Sequence, residues 1–341
     1  MKKTSLKDLS VLILGGAGFI GHNLALHLHK LGAKVNIIDS LSVNHLGSLK
    51  KNSDIPNPKL ARDILHERLR LLKNSKIPVH VQDARQYHKL SRFFTEIKPK
   101  VIIHLAAVSH ANRSNKDPHS TFDHSLRTLE NALDNAKKKI EHFIFLSSSM
   151  VYGNFRSAEV DEKTNCEPLG IYGALKYAAE KIIISYNQVF DLPYTIIRPS
   201  ALYGERCISR RVGQIFIENA LQNKEIEIHG DGSEKLDFTY INDLIAGITN
   251  VIKNPNSKNE IFNLTFGQAR SISDLLDILK NNFSSTTIKK IPRDRLMPKR
   301  GTLSIKKAIL LLNYSPKWSI DKAYPEYIRW YSNFFKNKTK K

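Results

Sequence analysis

Short apolar runs rich in β-branched residues alternate along the first half of the chain with longer stretches whose apolar positions recur every three or four residues. Strands are predicted at 10–14, 34–38, 79–81, 101–105, 143–146 and 194–197, and helices at 19–31, 118–138 and 172–189. Strand and helix in strict alternation predict an α/β fold, a Rossmann-like doubly wound parallel sheet whose ligands lie outside the carboxyl ends of the strands. The connection 42–76 is longer than such a sheet needs. Within it, Leu60, Ile64, Leu65, Leu69 and Leu72 mark an amphipathic helix over 58–73 that could be a lid, an oligomer contact or a surface insertion. After Pro199 the pattern is mixed, with helices expected at 214–222, 242–252, 271–281 and 321–335 and a strand at 225–228. Residues 1–198, with part of 229–265, read as a dinucleotide-binding domain. Residues 199–228 and 266–335 read as a smaller mixed α/β substrate domain, and 336–341 as a basic tail.

Composition narrows the class. The two cysteines, Cys166 and Cys207, make no disulfide framework and favour a reducing compartment. The first apolar run is short and leads into glycines, so it reads as a buried strand and not a signal segment. A soluble, cytoplasmic protein without membrane partners is expected. The net charge of +21 would suit an anionic partner. The basic residues are spread along the chain without a nucleic-acid-binding motif, so a solvated basic surface is the better reading; nucleic acid is not expected, though a phosphate-bearing ligand would benefit from the field. His22, His27 and His29 share one helix but lack the carboxylates or cysteines of a metal site, and no metal is expected.

Gly15, Gly18 and Gly21 lie between the first strand and its helix, where backbone N–H groups can approach a pyrophosphate. Phe19 and Ile20 open that helix. Asp39 ends the second strand, in position to take the adenosine ribose hydroxyls and to repel a 2′-phosphate, which favours NAD over NADP. Asp83 and Ala84 follow the third strand, where they could hold the adenine edge. Leu105, Ala106 and Ala107 end the fourth and leave room for a cofactor. Farther on, Tyr172-x-x-x-Lys176 puts a phenol and an ammonium one helical turn apart. A neighbouring cation favours the phenolate, which suits proton exchange with a sugar hydroxyl.

Taken in this order, the glycine loop, Asp39, His104-Leu-Ala-Ala107, Ser147–Gly153, Tyr172-x-x-x-Lys176, Arg198-Pro199, Tyr203-Gly204, Gly230–Ser233 and Asp237–Asp243 resemble the nucleotide-sugar epimerase/dehydratase branch of the extended short-chain dehydrogenase/reductase superfamily. The resemblance implies that Tyr172 is the acid/base, that Lys176 lowers its pKa and holds the nicotinamide ribose, and that Ser148 bonds the reacting sugar oxygen. It also implies substrate contacts from Ser149 and a homodimer formed through helices 118–138 and 172–189. Five positions depart from the pattern. Ser149 and Met150 stand where family dehydratases carry an Asp-Glu pair, which favours epimerisation over water loss. Leu236 replaces an arginine that clamps the diphosphate. His124 and Arg127 replace an asparagine and a glycine of the central helix. A nucleotide diphosphate still needs cations, so Arg211 and Arg300, with Arg206 or Arg210, are expected to take over the clamp. The expected activity is NAD-dependent epimerisation of a nucleotide-sugar through a keto-sugar. A 4,6-dehydratase, reductase or 4-dehydrogenase is the enzymatic alternative, and a non-catalytic NAD-sensing protein the alternative of another class.

Overall fold

The computed structural model describes residues 4–42, 57–107, 111–137, 139–294 and 296–339. Its centre is a parallel sheet of seven strands: β1 (Ser10–Leu14), β2 (Lys34–Asp39), β3 (Val79–Val81), β4 (Val101–His104), β5 (His142–Leu146), β6 (Tyr194–Arg198) and β7 (Glu260–Asn263). Their spatial order is β7-β6-β5-β4-β1-β2-β3. β4, β5 and β6 are buried along their whole length, as expected where helices cover both faces of a parallel sheet. Chain order reverses between β1 and β4, and Leu14 lies in register with Ile38 on one side and His104 on the other. The ends of three adjacent strands therefore meet at the crevice where such sheets bind ligands.

The helices that matter to the site are α1 (Phe19–Lys30), α2 (Pro58–Asn74), α3 (Tyr87–Ile97), α4 (Thr128–Ala136), α5 (Gly170–Phe190), α6 (Val212–Leu221), α7 (Ile241–Lys253), α8 (Ile272–Lys280) and α9 (Ile320–Thr339). α2 is the amphipathic helix of the long connection and buries Leu60, Ile64, Leu65 and Leu72. Most of the preceding part of that connection, 43–56, lies outside the described residues. α8 starts with a capping box, in which Ser271 Oγ accepts from Asp274 N at 3.0 Å and Asp274 Oδ2 accepts from Ser271 N at 2.8 Å.

Several boundaries differ from the pattern reading. β2 runs on to Asp39 and β4 stops at His104. β7 was not anticipated, because four residues between polar neighbours carry little periodicity. The helix expected over 118–138 is interrupted: Pro118–Phe122 leads into a π-helical turn, Asp123–Arg127, before α4. That turn contains both departures, His124 and Arg127, and such insertions concentrate at functional sites. α9 continues through Thr339, into the stretch read as a basic tail; residues 340–341 lie outside the described ones.

Beyond β6 the chain builds small two-stranded ladders. Leu202–Tyr203 pairs with Thr239–Tyr240, Lys235–Leu236 with Arg270–Ser271, and Ile226–His229 with Ile288–Ile291. Glu159–Val160, from the dinucleotide-binding half, pairs with Thr302–Leu303 near the end of the chain. No helix among the described residues is long and apolar enough to cross a membrane.

Candidate active site

The glycine loop turns sharply out of β1. Gly15 has φ +77°, and a β-carbon there would stand 2.8 Å from Ala106 N. At Gly21 a β-carbon would stand 2.5 Å from the Gly16 Cα, so only glycine lets the loop close on the helix. α1 starts at Gly18 with no side-chain cap, which leaves its first N–H groups for an anion. Asp39 is buried beside this loop, its Oδ2 accepting from Ala17 N at 2.9 Å and its Oδ1 from Leu41 N at 2.8 Å. Each oxygen keeps acceptor capacity. Burial pushes the Asp39 pKa up, against the two N–H bonds and the Arg68 charge. Asp83 is less available than its position suggested, because Arg85 grips it at 2.6 Å and joins it to Asp123. Ala84 offers its backbone to the central helix, its carbonyl accepting from Asn131 Nδ2 at 2.9 Å. Leu105, Ala106 and Ala107 follow β4, and Leu105 N donates to Leu14 O at 2.8 Å.

Ser148 and Tyr172 come together at the carboxyl end of β5. Ser148 caps a short 3₁₀ turn, accepting from Met150 N at 3.2 Å. Tyr172 lies in the first turn of α5, half-buried, with the Ser148 hydroxyl near enough to act on its phenol. Burial raises the Tyr172 pKa, while the Arg211 charge and the Ser148 hydroxyl act to lower it. Lys176 is buried one turn further along, and its Nζ donates to Leu146 O at 2.5 Å and sits 4.7 Å from the centre of the Phe145 ring. A buried ammonium needs acceptors, and the carbonyl at the end of β5 is the one it finds. Burial lowers the Lys176 pKa to about 8, with Glu180 opposing. Ser149 is buried, with its N–H bonded to Pro199 O at 2.9 Å, while Met150 is partly exposed.

The expected arginines divide into two groups. Arg211 caps α6 and acts on Tyr172; it also acts on Arg300, as does Arg293. Arg300 is part-buried, its Nε has no hydrogen-bond partner, and burial with these two cations lowers its pKa to about 10. Arg211 thus acts on both the phenol and Arg300, and the like charges of Arg211, Arg300 and Arg293 would be relieved by an anion. Arg206 and Arg210 point elsewhere. Arg206 donates to His22 Nε2 at 3.2 Å over α1, and Arg210 pairs with Glu218 at 2.7 Å. Leu236 is buried in the main core, which accounts for the missing clamp at that position.

The pattern reading missed the polar groups beneath the site. Arg198 and Glu180 form a buried bidentate pair at 3.0 and 2.6 Å, and Ser147 donates to the same carboxylate. Spacing gave one clue: Glu180 follows Lys176 by one turn. Asp237 is fully buried and accepts from Thr265 Oγ1, Gly267 N and Leu303 N at 3.0, 3.1 and 3.1 Å. It ties the end of β7 to the 302–303 ladder, and burial pushes its pKa up to about 6. His104, at the end of β4, has both ring nitrogens buried without hydrogen-bond partners among the described residues, and burial with the Lys176 charge holds it neutral, with a pKa of about 3. Among the described residues no group of histidine, cysteine or carboxylate side chains could hold a metal.

A reversing parallel sheet, a glycine loop and a Ser148–Tyr172 contact at the strand ends define a dinucleotide-binding α/β protein with a hydroxyl-lined reaction site. The model of the NAD dependent epimerase/dehydratase family matches residues 11–265, and the chain belongs to that family. It is 29% identical to the putative UDP-glucose 4-epimerase of Methanocaldococcus jannaschii, over 95% of this chain and 98% of that protein. It is also 29% identical to the dTDP-D-glucose 4,6-dehydratase of Dictyostelium discoideum, over 82% of this chain and 62% of that one. Among solved structures, the UDP-glucuronic acid 4-epimerase of Bacillus cereus, in complex with UDP-glucuronic acid and NAD, is 28% identical with a TM-score of 0.83. That match covers 95% of this chain and 99% of that one.

Proposed function

We propose that this chain is an NAD-dependent nucleotide-sugar 4-epimerase in which Tyr172 is the acid/base. The observation that carries the reading is the Tyr172–Ser148 contact beside the Arg211–Arg300 pair, at the carboxyl end of the sheet. A sugar hydroxyl and a diphosphate need these two kinds of partner. The residues of the crevice fit NAD: the close approach of Gly15 to Ala106 leaves no room for a side chain at position 15, and Asp39 presents a carboxylate where a 2′-phosphate would be repelled. Gly15, Gly18, Phe19, Ile20, Gly21, Asp39, Ala84 and Leu105–Ala107 would hold it. When bound, NAD supplies the chemistry of taking a hydride from the sugar carbon and returning it to the opposite face.

The chain's own residues do the rest. Tyr172 removes the proton of the sugar hydroxyl as the carbonyl forms and gives it back as the carbonyl is reduced. Ser148 donates to the same oxygen and holds it in place. Lys176, with a pKa near the working range, is free to exchange the Leu146 carbonyl for a ribose hydroxyl. Arg211 and Arg300 hold the diphosphate in place of the arginine absent at Leu236. The segments 199–228 and 266–335 carry these contacts and form the substrate-binding part. Ser149 and Met150 offer no carboxyl group to assist loss of water, so the keto-sugar is reduced again and not dehydrated. The names of the relatives support C4 as the inverted carbon.

The test is a panel of UDP-, GDP-, CDP- and dTDP-sugars incubated with the purified protein and read by NMR. At least one substrate should convert to its C4 epimer. A 4-keto-6-deoxy product would replace the reading with a dehydratase, and no product from any sugar would contradict it.

A further inference from the structure

Arg206 was expected at the substrate, yet it lies over the cofactor loop, and its surroundings are built for that position. Its backbone is left-handed, with φ +64°, as is that of Arg210 at +46°. Non-glycine residues keep such conformations only where their surroundings hold them. The holder here is α2. Arg68, buried on that helix, donates through both Nε and Nη2 to the Arg206 carbonyl, at 2.9 Å for Nε. Two residues on, Ile208 packs against Ala61 and Leu65 of α2.

The Arg206 side chain then reaches α1. Its Nε donates to His22 Nε2 at 3.2 Å, its Nη2 to Asn23 Oδ1 at 3.4 Å, and its guanidinium carbon lies 6.0 Å from the centre of the Trp330 ring. His22 is fully buried, and its partners fix its tautomer. Gly18 O, 2.9 Å from Nδ1, can only accept, and Arg206 Nε can only donate. His22 is therefore neutral with the proton on Nδ1, and burial with the Arg68 charge lowers its pKa well below the usual value. Gly18 is the central glycine of the cofactor loop. At the other end of the same short segment, Arg211 faces Tyr172.

We propose that Arg206 is a positioning residue that joins the cofactor loop to the substrate loop through His22, so that retention of NAD and binding of a nucleotide diphosphate are thermodynamically linked. This rests on the proposed function above. Linkage is reciprocal: a diphosphate that orders the 205–211 segment strengthens the hold on the glycine loop, and bound NAD orders the segment that presents Arg211. An epimerase that regenerates its cofactor in every cycle gains from keeping it while substrate is present.

The experiment follows NAD release from the purified holoenzyme, with and without saturating UDP as the probe, alongside the UDP dissociation constant and the thermal midpoint. In the unmodified protein UDP should slow NAD release by about tenfold, a usual size for such coupling. In Arg206→Met, which keeps the apolar stem over Trp330, that protection should shrink to about twofold or less, and UDP should bind several-fold more weakly. His22→Leu should lose the same protection, and the double variant should lose no more than either single one. Arg211→Ala should weaken UDP binding yet leave NAD release without UDP unchanged. If Arg206→Met does not fold, His22→Leu decides alone. Full UDP protection in a folded Arg206→Met or His22→Leu overturns the coupling while leaving the proposed function intact. If UDP does not bind, GDP, CDP and dTDP are used in its place, and a holoenzyme that binds none of the four overturns both.

Discussion

Tyr172 and the two arginines near it carry separable predictions. Tyr172→Phe keeps the ring and removes the oxygen, so turnover should fall by about two to four orders of magnitude with NAD still bound. Near-normal turnover, measured on the substrate found by NMR, would remove Tyr172 from the chemistry. Arg211→Ala and Arg300→Ala should each raise the KM several-fold and leave bound NAD unchanged, because they act on the substrate. An unchanged KM in both would end the relocated clamp. Leu236→Arg should not restore a clamp, since position 236 is packed in the main core and a charge there would be buried without a partner. At this scale the sequence was readable for glycines, for the Tyr172–Lys176 spacing and for Asp39, because each belongs to a local motif. It was not readable for Arg68, His22, Glu180 or Arg198, which find their partners across the fold. Arg206 shows the difference well. Its place in the chain suggested substrate, and only the left-handed turn around it reveals that the side chain faces α1.

Among the elements, the strand-to-helix turn after β1 makes the sharpest claim. Gly15→Ala would place a methyl group 2.8 Å from the Ala106 backbone while forcing φ +77° on an L-residue. Purified Gly15→Ala should therefore carry little or no NAD, read from the nucleotide released on denaturation, even where the protein folds. Normal NAD content would contradict the placement of the cofactor. β1, β4, β5 and β6 were legible because buried parallel strands are near-continuous apolar runs. β7 was not, because Glu260 and Asn263 leave it only two apolar residues. The π-helical turn at Asp123–Arg127 was also invisible to a periodicity of 3.6, which carries straight through one extra residue.

For the molecule as a whole, buried histidines give a signed dependence on pH. His142 is buried at the start of β5 beside Thr195 Oγ1, 2.7 Å away, and burial, with the Lys258 charge, lowers its pKa to about 3. Above the unfolded value of about 6.5 both states are neutral there, and between these values only the unfolded state takes up the proton. The protein should thus lose stability relative to His142→Gln as pH falls from 6.5 towards 3, by at most about 1.4 kcal/mol per pH unit. Denaturant midpoints of the two proteins that keep a constant separation with pH would contradict this. We also propose a homodimer. Phe122 and Val189, on the segments expected to pair between subunits, and Ile171, just before the second, are 58%, 69% and 38% exposed. Light scattering should give twice the chain mass, reduced by Ile171→Asp, whereas a monomer at every concentration would refute it.

The measurement closest to the central claim uses the accepted nucleotide-sugar carrying deuterium at C4, in light water, with products followed by proton NMR. Hydride removal and return inside one closed site should yield both C4 epimers with the label retained at C4. Epimers that have exchanged the label for solvent hydrogen, or a product that stops at the ketone, would contradict the account.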